Sequence, residues 1–254
     1  MTQQTIMITG ATSGFGEAMA RLFAQHGWKL ILTGRRQERL NDLQHELGKA
    51  AVHTCCFDIR DKTAIAEAID NLPIGFDEID VLVNNAGLAL GMMPADKTDI
   101  DDWEKMVDTN IKGLMYCTRK VLPAMRKRSK GYIINLGSVA GSWPYPGGNV
   151  YCASKAFVKQ FSLALRADLL GSNIRVSNIE PGAAETEFSM VRFKQDQSLA
   201  NAVYQNTTAL SAQDIADTVF WLVSTPEHMN VTTMEVMPTQ QATGPLVMFR
   251  DHDE

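Results

Sequence analysis

The sequence predicts an α/β fold, a doubly wound parallel sheet of about seven strands with helices on both faces. Short apolar runs alternate with segments whose apolar residues recur every three or four positions, an order typical of strands joined by helical crossovers. Polar or glycine-rich clusters follow most of these strands, and such sheets bind ligands at that edge. Because no stretch is rich enough in Gly, Ser or Pro to be a linker, we expect one domain over residues 1–254.

The first predicted strand, Thr5–Thr9, leads into a glycine-rich turn and then into a helical pattern. Glycines in such a turn let backbone N–H groups approach a pyrophosphate, and the helix N-terminus favours that anion. The alternative is a turn that merely needs positive φ angles. In the strand–turn–helix context we prefer a dinucleotide-binding turn, whose residues are Gly10, Ala11, Thr12, Ser13, Gly14, Phe15 and Gly16.

Arginines follow the second predicted strand, residues 30–33, where NAD-binding units place an acidic residue on the ribose hydroxyls. A guanidinium can grip a 2′-phosphate in a bidentate fashion, whereas a carboxylate would repel it. Arg35 and Arg36 therefore favour NADP over NAD. The alternative is a solvated pair that enters the helix predicted over residues 38–47.

The next two strands also end in polar residues. Asp58 and Ile59 follow the strand predicted over 51–57, and Asp58 could accept a hydrogen bond from an adenine amino group or cap the helix that starts near Lys62; both readings stay open. The strand over 79–83 ends in Asn84–Gly87, which suits a turn that ties neighbouring loops together. A long helix is predicted over 101–128, within which Asn110 would ordinarily face solvent or bond its own backbone.

Tyr151 and Lys155 lie four positions apart on a predicted helix, so the phenol and the ammonium share one face. A cation about 5 Å away, at an effective dielectric near 20, favours phenolate by roughly 3 kcal/mol, or about two pKa units. Tyr151 would then be a usable acid/base. The alternative is an amphipathic helix with tyrosine at the core edge and a snorkelling lysine. Ser138 follows the strand predicted over 133–136 and can face the same crevice.

The last predicted strands, over 174–179 and 234–237, flank a polar turn at Pro181–Thr186 and a helix over 212–223. Between the turn and that helix the periodicity is weak. We therefore predict that residues 183–206, here called the lid, form a mobile cover above the site.

Together these motifs resemble the short-chain dehydrogenase/reductase family over roughly residues 5–240. The resemblance implies a Rossmann-like domain that binds NAD(P), with Tyr151 as acid/base and Ser138 holding the substrate oxygen. It places Lys155 on the nicotinamide ribose, where it lowers the tyrosine pKa. It further implies that Asn110 holds a water in a proton relay, and that the chain assembles as a homotetramer. The remaining cofactor contacts that it implies are Asp58, Ile59, Asn85, Ala86, Gly87, Pro181, Gly182, Ala183 and Thr186.

A narrower resemblance, carried by residues 84–91, 141–151 and 186–194, is to the bacterial NADP-dependent 3-hydroxy acid dehydrogenases. That group includes serine 3-dehydrogenase and L-allo-threonine dehydrogenase, and also reduces malonic semialdehyde. It implies reversible hydride transfer at the 3-hydroxyl carbon of a small 3-hydroxy acid. Arg192 and Lys194 are then candidates to bind the substrate carboxylate, the alternative being solvated charges on a mobile loop.

Two other functions would fit parts of the same pattern. A reductase of neutral ketones or aldehydes would use the same scaffold, and a non-catalytic NADP(H)-binding regulator would usually tolerate loss of the serine, tyrosine or lysine. A net charge of -5 argues against a nucleic-acid partner, and no apolar run could span a bilayer. The four cysteines lack metal-ligand spacing and suit reduced thiols better than disulfides, so we expect no metal and a cytoplasmic protein. We expect a small-molecule substrate and no membrane partner.

Overall fold

The structure is a computed structural model that describes residues 3–244, so both ends of the domain predicted over 1–254 lie outside the described residues. Within that part of the chain the strands are β1 Thr5–Ile8, β2 Lys29–Gly34, β3 Val52–Cys56, β4 Val81–Asn84, β5 Gly131–Leu136, β6 Ile174–Pro181 and β7 Thr233–Val236. These seven parallel strands form one sheet in the order β3-β2-β1-β4-β5-β6-β7. The chain builds outward from β1 to β3 and then returns to the other side of β1, which confirms the doubly wound fold.

Helices cover both faces of the sheet because successive strand residues point to opposite sides. In β1, Ile6 and Ile8 join the apolar core on one face, whereas Met7 joins the core on the other. Both sides of the strand are therefore buried, as its uninterrupted apolar sequence predicts. The helices are α1 Gly14–Gln25, α2 Gln37–Leu47, α3 Lys62–Asp70, α4 Ile100–Val107, α5 Leu114–Arg128, α6 Asn149–Asp168, α7 Glu187–Arg192, α8 Gln197–Ala202 and α9 Ala212–Ser224.

The helix predicted over 101–128 is not a continuous α-helix. A π-helical segment, Asp108–Gly113, joins α4 to α5 and contains Asn110. Asn110 is only 2% exposed, so the expectation that it faces solvent or bonds its own backbone is wrong. Wider turns of this kind are frequent at functional sites because they redirect side chains.

Two other local predictions concern the start of α3 and the lid. The Asp61 carboxylate accepts hydrogen bonds from Thr63 N and Ala64 N and caps α3, so the capping alternative for Asp58 is wrong. In the lid, the weak periodicity resolves into the two short helices α7 and α8, and Thr186 caps α7. Among residues 3–244, no helix combines the length and apolar character that a bilayer crossing requires.

Candidate active site

A cavity of about 680 Å³ opens at the carboxyl ends of the strands, beneath the lid. Every predicted site residue lines it except Ala11, Gly16, Asn110 and the candidate Lys194. The topology explains this gathering, because parallel strands end at one edge and the loops that follow them meet there.

The glycine-rich turn forms the floor of one end of the cavity. Gly10 and Gly14 have φ angles of 68° and 53°, a left-handed backbone that glycine adopts without strain. Gly16 lies beneath the turn, where a Cβ atom would be 2.3 Å from Gly10 O. Ala11 is fully buried, and its N–H donates to Thr33 O at 2.9 Å. The sequence predicts that Ala11 and Gly16 contact the cofactor. In the structure they shape the turn and do not line the cavity.

Asn85 ties the end of β4 to this turn, as the sequence predicted for an amide at that position. Its Nδ2 donates to Thr9 O at 2.9 Å and to Gly10 O at 3.2 Å. The Thr9 hydroxyl oxygen accepts from the N–H groups of Asn85 and Ala86, both at 3.0 Å. These bonds fix two strand ends against each other at the point where the strand order reverses.

The arginines after β2 reach over the glycine-rich turn. Arg36 Nη2 donates to Thr12 O, Thr12 Oγ1 and Ser13 Oγ at 3.1, 2.9 and 2.9 Å, so the guanidinium is held in place and not merely solvated. Arg35 lies 3.8 Å from the Asp58 carboxylate. Hydrogen bonds from Arg60, reinforced by the Arg35 charge, hold the pKa of Asp58 below its ordinary value. The carboxylate therefore stays ionised at neutral pH.

Ser138, Tyr151 and Lys155 meet at the other end of the cavity. Lys155 Nζ donates to Leu136 O at 2.8 Å and lies 5.9 Å from the centroid of the Tyr151 ring. The Ser138 hydroxyl accepts from Ala140 N at 3.1 Å. A strand end and a helix start thus converge, as the sequence predicted.

Burial governs the ionisation of this pair. It raises the pKa of Tyr151, and the charge of Arg192 and a hydrogen bond with Ser138 oppose that rise without cancelling it. Burial also lowers the pKa of Lys155 to about 8. Desolvation is thus the largest influence on both pKa values, and the lowering of the tyrosine pKa by Lys155 stays a prediction.

Arg192 ends α7 and points into the same part of the cavity. Its Nη2 donates to the Tyr145 hydroxyl, and its guanidinium carbon is 5.3 Å from the ring centroids of both Tyr145 and Tyr151. Its Nε is buried and has no hydrogen-bond partner among the described residues. An unpaired buried donor of this kind is suited to an anionic ligand. Lys194 points elsewhere and pairs with Asp102 at 2.8 Å.

A family model for short chain dehydrogenases matches residues 4–197. The chain belongs to the short-chain dehydrogenase family. Similar relatives include the NADP-dependent 3-hydroxy acid dehydrogenase YdfG of Escherichia coli K12, 54% identical over 96% of this chain and 99% of the relative. Serine 3-dehydrogenase of Agrobacterium fabrum is 51% identical, and sulfoacetaldehyde reductase 2 of Chromohalobacter salexigens 53% identical; each match covers 97% of this chain and 98% of the relative.

A solved structure described as the closed form of serine dehydrogenase complexed with NADP+ is similar to this short-chain dehydrogenase. It matches with a TM-score of 0.94 and 53% identity, over 98% of this chain and all of the other. The strand order and the placement of the helices are therefore those of a solved member of the family.

Asn110 of this short-chain dehydrogenase lies behind the cavity. Its Nδ2 donates to Leu88 O at 2.8 Å and to Ser154 Oγ at 3.0 Å, and its Oδ1 accepts from Leu88 N at 2.8 Å. Because Ser154 precedes Lys155 on α6, Asn110 joins the loop after β4 to the helix that carries the tyrosine–lysine pair. The water-relay role implied by the resemblance stays a prediction.

Some residues at the site of this short-chain dehydrogenase were missed from the sequence: Arg39, Tyr145, Glu187 and Phe188. Arg39 had a usable signal, because it lies in the first turn of α2, three residues after Arg36 at the N-cap. Glu187 had none, since it pairs with Arg36 from 151 positions away. The ring of Phe188, on the lid, lies 5.6 Å from that of Tyr151.

Proposed function

We propose that this short-chain dehydrogenase is an NADP-dependent oxidoreductase that transfers hydride reversibly at the 3-hydroxyl carbon of a small 3-hydroxy acid. The observation that carries the substrate class is Arg192, a cation with an unpaired Nε held 5.3 Å from the Tyr151 ring. A carboxylate bound there would leave the carbinol carbon, two positions along the substrate chain, within reach of the tyrosine. The similar relatives named for 3-hydroxy acids and serine support the same class.

The cavity fits a dinucleotide with a 2′-phosphate. Gly10 and Gly14 have left-handed backbone, and a Cβ atom at Gly10 would lie 3.0 Å from Ala86 Cα, so glycine lets the turn pack closely against the loop after β4. Backbone N–H groups of such a turn can bind a pyrophosphate. Arg35 and Arg36 flank that end and would bind the 2′-phosphate, while Asp58 would accept from the adenine. When bound, the nicotinamide would accept hydride in oxidation and supply it in reduction.

In the proposed reaction Tyr151 moves the proton. Its raised pKa keeps the phenol protonated at neutral pH, the form that donates to the developing alkoxide in reduction. Oxidation needs the phenolate, which the Lys155 ammonium and any further cation at the site would favour. Ser138 would hydrogen-bond the substrate oxygen while charge develops on it. The remaining predicted contacts would enclose the cofactor; they are Ile59, Asn85, Ala86, Gly87, Pro181, Gly182, Ala183 and Thr186.

Two rival functions differ in the substrate. A sulfonated aldehyde presents an anion to Arg192 just as a carboxylate does, and a relative 53% identical is named sulfoacetaldehyde reductase. A neutral ketone or aldehyde would leave Arg192 Nε unpaired, which disfavours that alternative. The non-catalytic regulator is disfavoured because Ser138, Tyr151 and Lys155 all line one cavity.

The proposal also includes the organisation of the chain. We propose one cofactor-binding domain whose lid, residues 183–206, closes over the substrate, since Phe188, Arg192 and Tyr204 line the cavity from above. We also propose a homotetramer in the cytoplasm. Exposed apolar side chains on α5, α6 and α9, namely Met115, Leu163 and Trp221, are suited to contacts between subunits. Light scattering of the purified protein would measure the assembly.

Arg192→Ala is expected to raise KM for a small 3-hydroxy acid by about 100-fold, because one charge-assisted contact of roughly 3 kcal/mol is lost. KM for a neutral alcohol of the same length should change by less than about threefold, since that substrate makes no such contact. Steady-state kinetics with both substrates at saturating NADP would measure the difference.

Lys194→Ala is the matched control for Arg192→Ala. It removes a lid cation that pairs with Asp102 and not with the cavity, and it should leave both KM values unchanged. An equal rise in KM for the charged and the neutral substrate in Arg192→Ala would refute the assignment of Arg192 to the carboxylate.

A further inference from the structure

We propose that Glu187, the first residue of lid helix α7, limits the preference for NADP by competing with the 2′-phosphate for Arg36 and Arg39. This inference rests on the proposed NADP dependence. Glu187 is a lid carboxylate that pairs with these two arginines.

Glu187 bridges two arginines. Its Oε2 is 3.2 Å from Arg36 Nη1, and its Oε1 is 2.7 Å from Arg39 Nη1. Burial would raise the pKa of Glu187, but hydrogen bonds from Arg39 and Arg36 outweigh it and lower the pKa. The group is therefore a carboxylate at neutral pH.

Each nitrogen of the Arg36 guanidinium has an acceptor. Nε and Nη2 donate to Thr12 and Ser13 on the glycine-rich turn, and Nη1 donates to Glu187. Glu187 is the charged member of this set. A phosphate that accepts two hydrogen bonds from Arg36 must displace some of these acceptors. If it displaces Glu187, the hydrogen bonds of Arg36 to the glycine-rich turn can remain.

The ion pairs are weak enough to be exchanged. The side chains of Glu187, Arg36 and Arg39 are 46%, 42% and 45% exposed, so solvent screens their attraction. A 2′-phosphate carries more negative charge than one carboxylate and offers three acceptor oxygens. It can therefore replace Glu187, whereas the 2′-hydroxyl of NAD has no charge with which to do so.

The same contact links the lid to the cofactor site. The Thr186 side chain lies over Gly14, within 3.3 Å of where a Cβ atom would be, and Glu187 follows directly in the chain. The ion pair between Arg36 and Glu187, at 3.2 Å, thus joins the lid to the arginine that is bonded to the glycine-rich turn. Releasing Glu187 from the arginines would free the start of α7 when a phosphate binds.

Glu187→Gln keeps the size of the side chain and removes its charge. We expect the Kd of NADPH to fall about three- to tenfold, because a competing anion near the phosphate is lost. The Kd of NADH should change by less than about twofold, since NADH has no 2′-phosphate to bind these arginines. Fluorescence titration of both reduced cofactors at one fixed ionic strength would measure the two constants.

Glu185→Gln is the matched control, since it removes the same charge two positions earlier from a carboxylate with no ion pair among residues 3–244. It should change neither Kd. The proposal is overturned if Glu187→Gln leaves NADPH binding unchanged or weakens it, if both cofactors gain equally, or if Glu185→Gln gives the same gain. A wild-type chain that binds NADH more tightly than NADPH would instead refute the proposed function.

Discussion

Tyr151→Phe is expected to lower kcat by about 10³-fold in both directions, because it removes the one group proposed to exchange a proton with the substrate oxygen. The Kd of NADPH should stay within about twofold of wild type. The packing of the ring against Phe188 and Arg192 is unaffected, since only the hydroxyl is lost. Single-turnover measurements and fluorescence titration of NADPH would check the two quantities.

Tyr145→Phe provides the matched control. Tyr145 is a second tyrosine of the cavity, but its hydroxyl accepts from Arg192, so its loss should raise KM for the acid and spare kcat. Substantial residual turnover in Tyr151→Phe, or an equal loss of kcat in Tyr145→Phe, would contradict the proposed role of Tyr151.

Lys155→Met is expected to abolish most turnover and yet to make the protein more stable at pH 7. Burial lowers the pKa of Lys155 from 10.5 to about 8, so the folded state is penalised for holding the ammonium. That penalty is about 3 kcal/mol, and losing the hydrogen bond to Leu136 O costs roughly 1 kcal/mol. The free energy of unfolding should therefore rise by about 2 kcal/mol, or Tm by about 4–8 °C.

The pH dependence of that gain tests its cause. A pKa that is lower in the folded state contributes stability above pH 10.5 that is lost as pH falls through about 8. The advantage of Lys155→Met should thus be complete below pH 8 and fade as pH approaches 10.5. Thermal unfolding at one protein concentration across this range would measure it, and a variant less stable than wild type at pH 7 would show that the ammonium is stabilised where it lies.

The strands and the glycine-rich turn could be predicted because their signals are local. An apolar run such as β1 predicts a strand buried on both faces, and glycines between a strand and a helix predict a tight turn. The same locality explains the successful placement of Ser138 and Tyr151 in one crevice, since strand ends of a parallel sheet meet at one edge.

The errors came from effects that sequence spacing does not carry. Asn110 follows an ordinary helical pattern, but the π-helical segment turns it inward to Leu88 and Ser154. The distance between Tyr151 and Lys155 was foreseeable, yet the depth of their burial was not, and burial decides both pKa values. The pair of Glu187 with Arg36 joins residues 151 positions apart, and only the folded chain brings them together.

The most direct test of the proposed function is a set of initial rates with NADP and NAD against 3-hydroxy acids, 2-hydroxy acids and simple alcohols. We expect kcat/KM to be highest for a 3-hydroxy acid with NADP, at least about tenfold above the other substrate classes and above the same acid with NAD. Comparable rates with NAD would contradict the role of the arginines after β2. Equal or faster oxidation of a neutral alcohol would contradict the role of Arg192 and, with it, the substrate class.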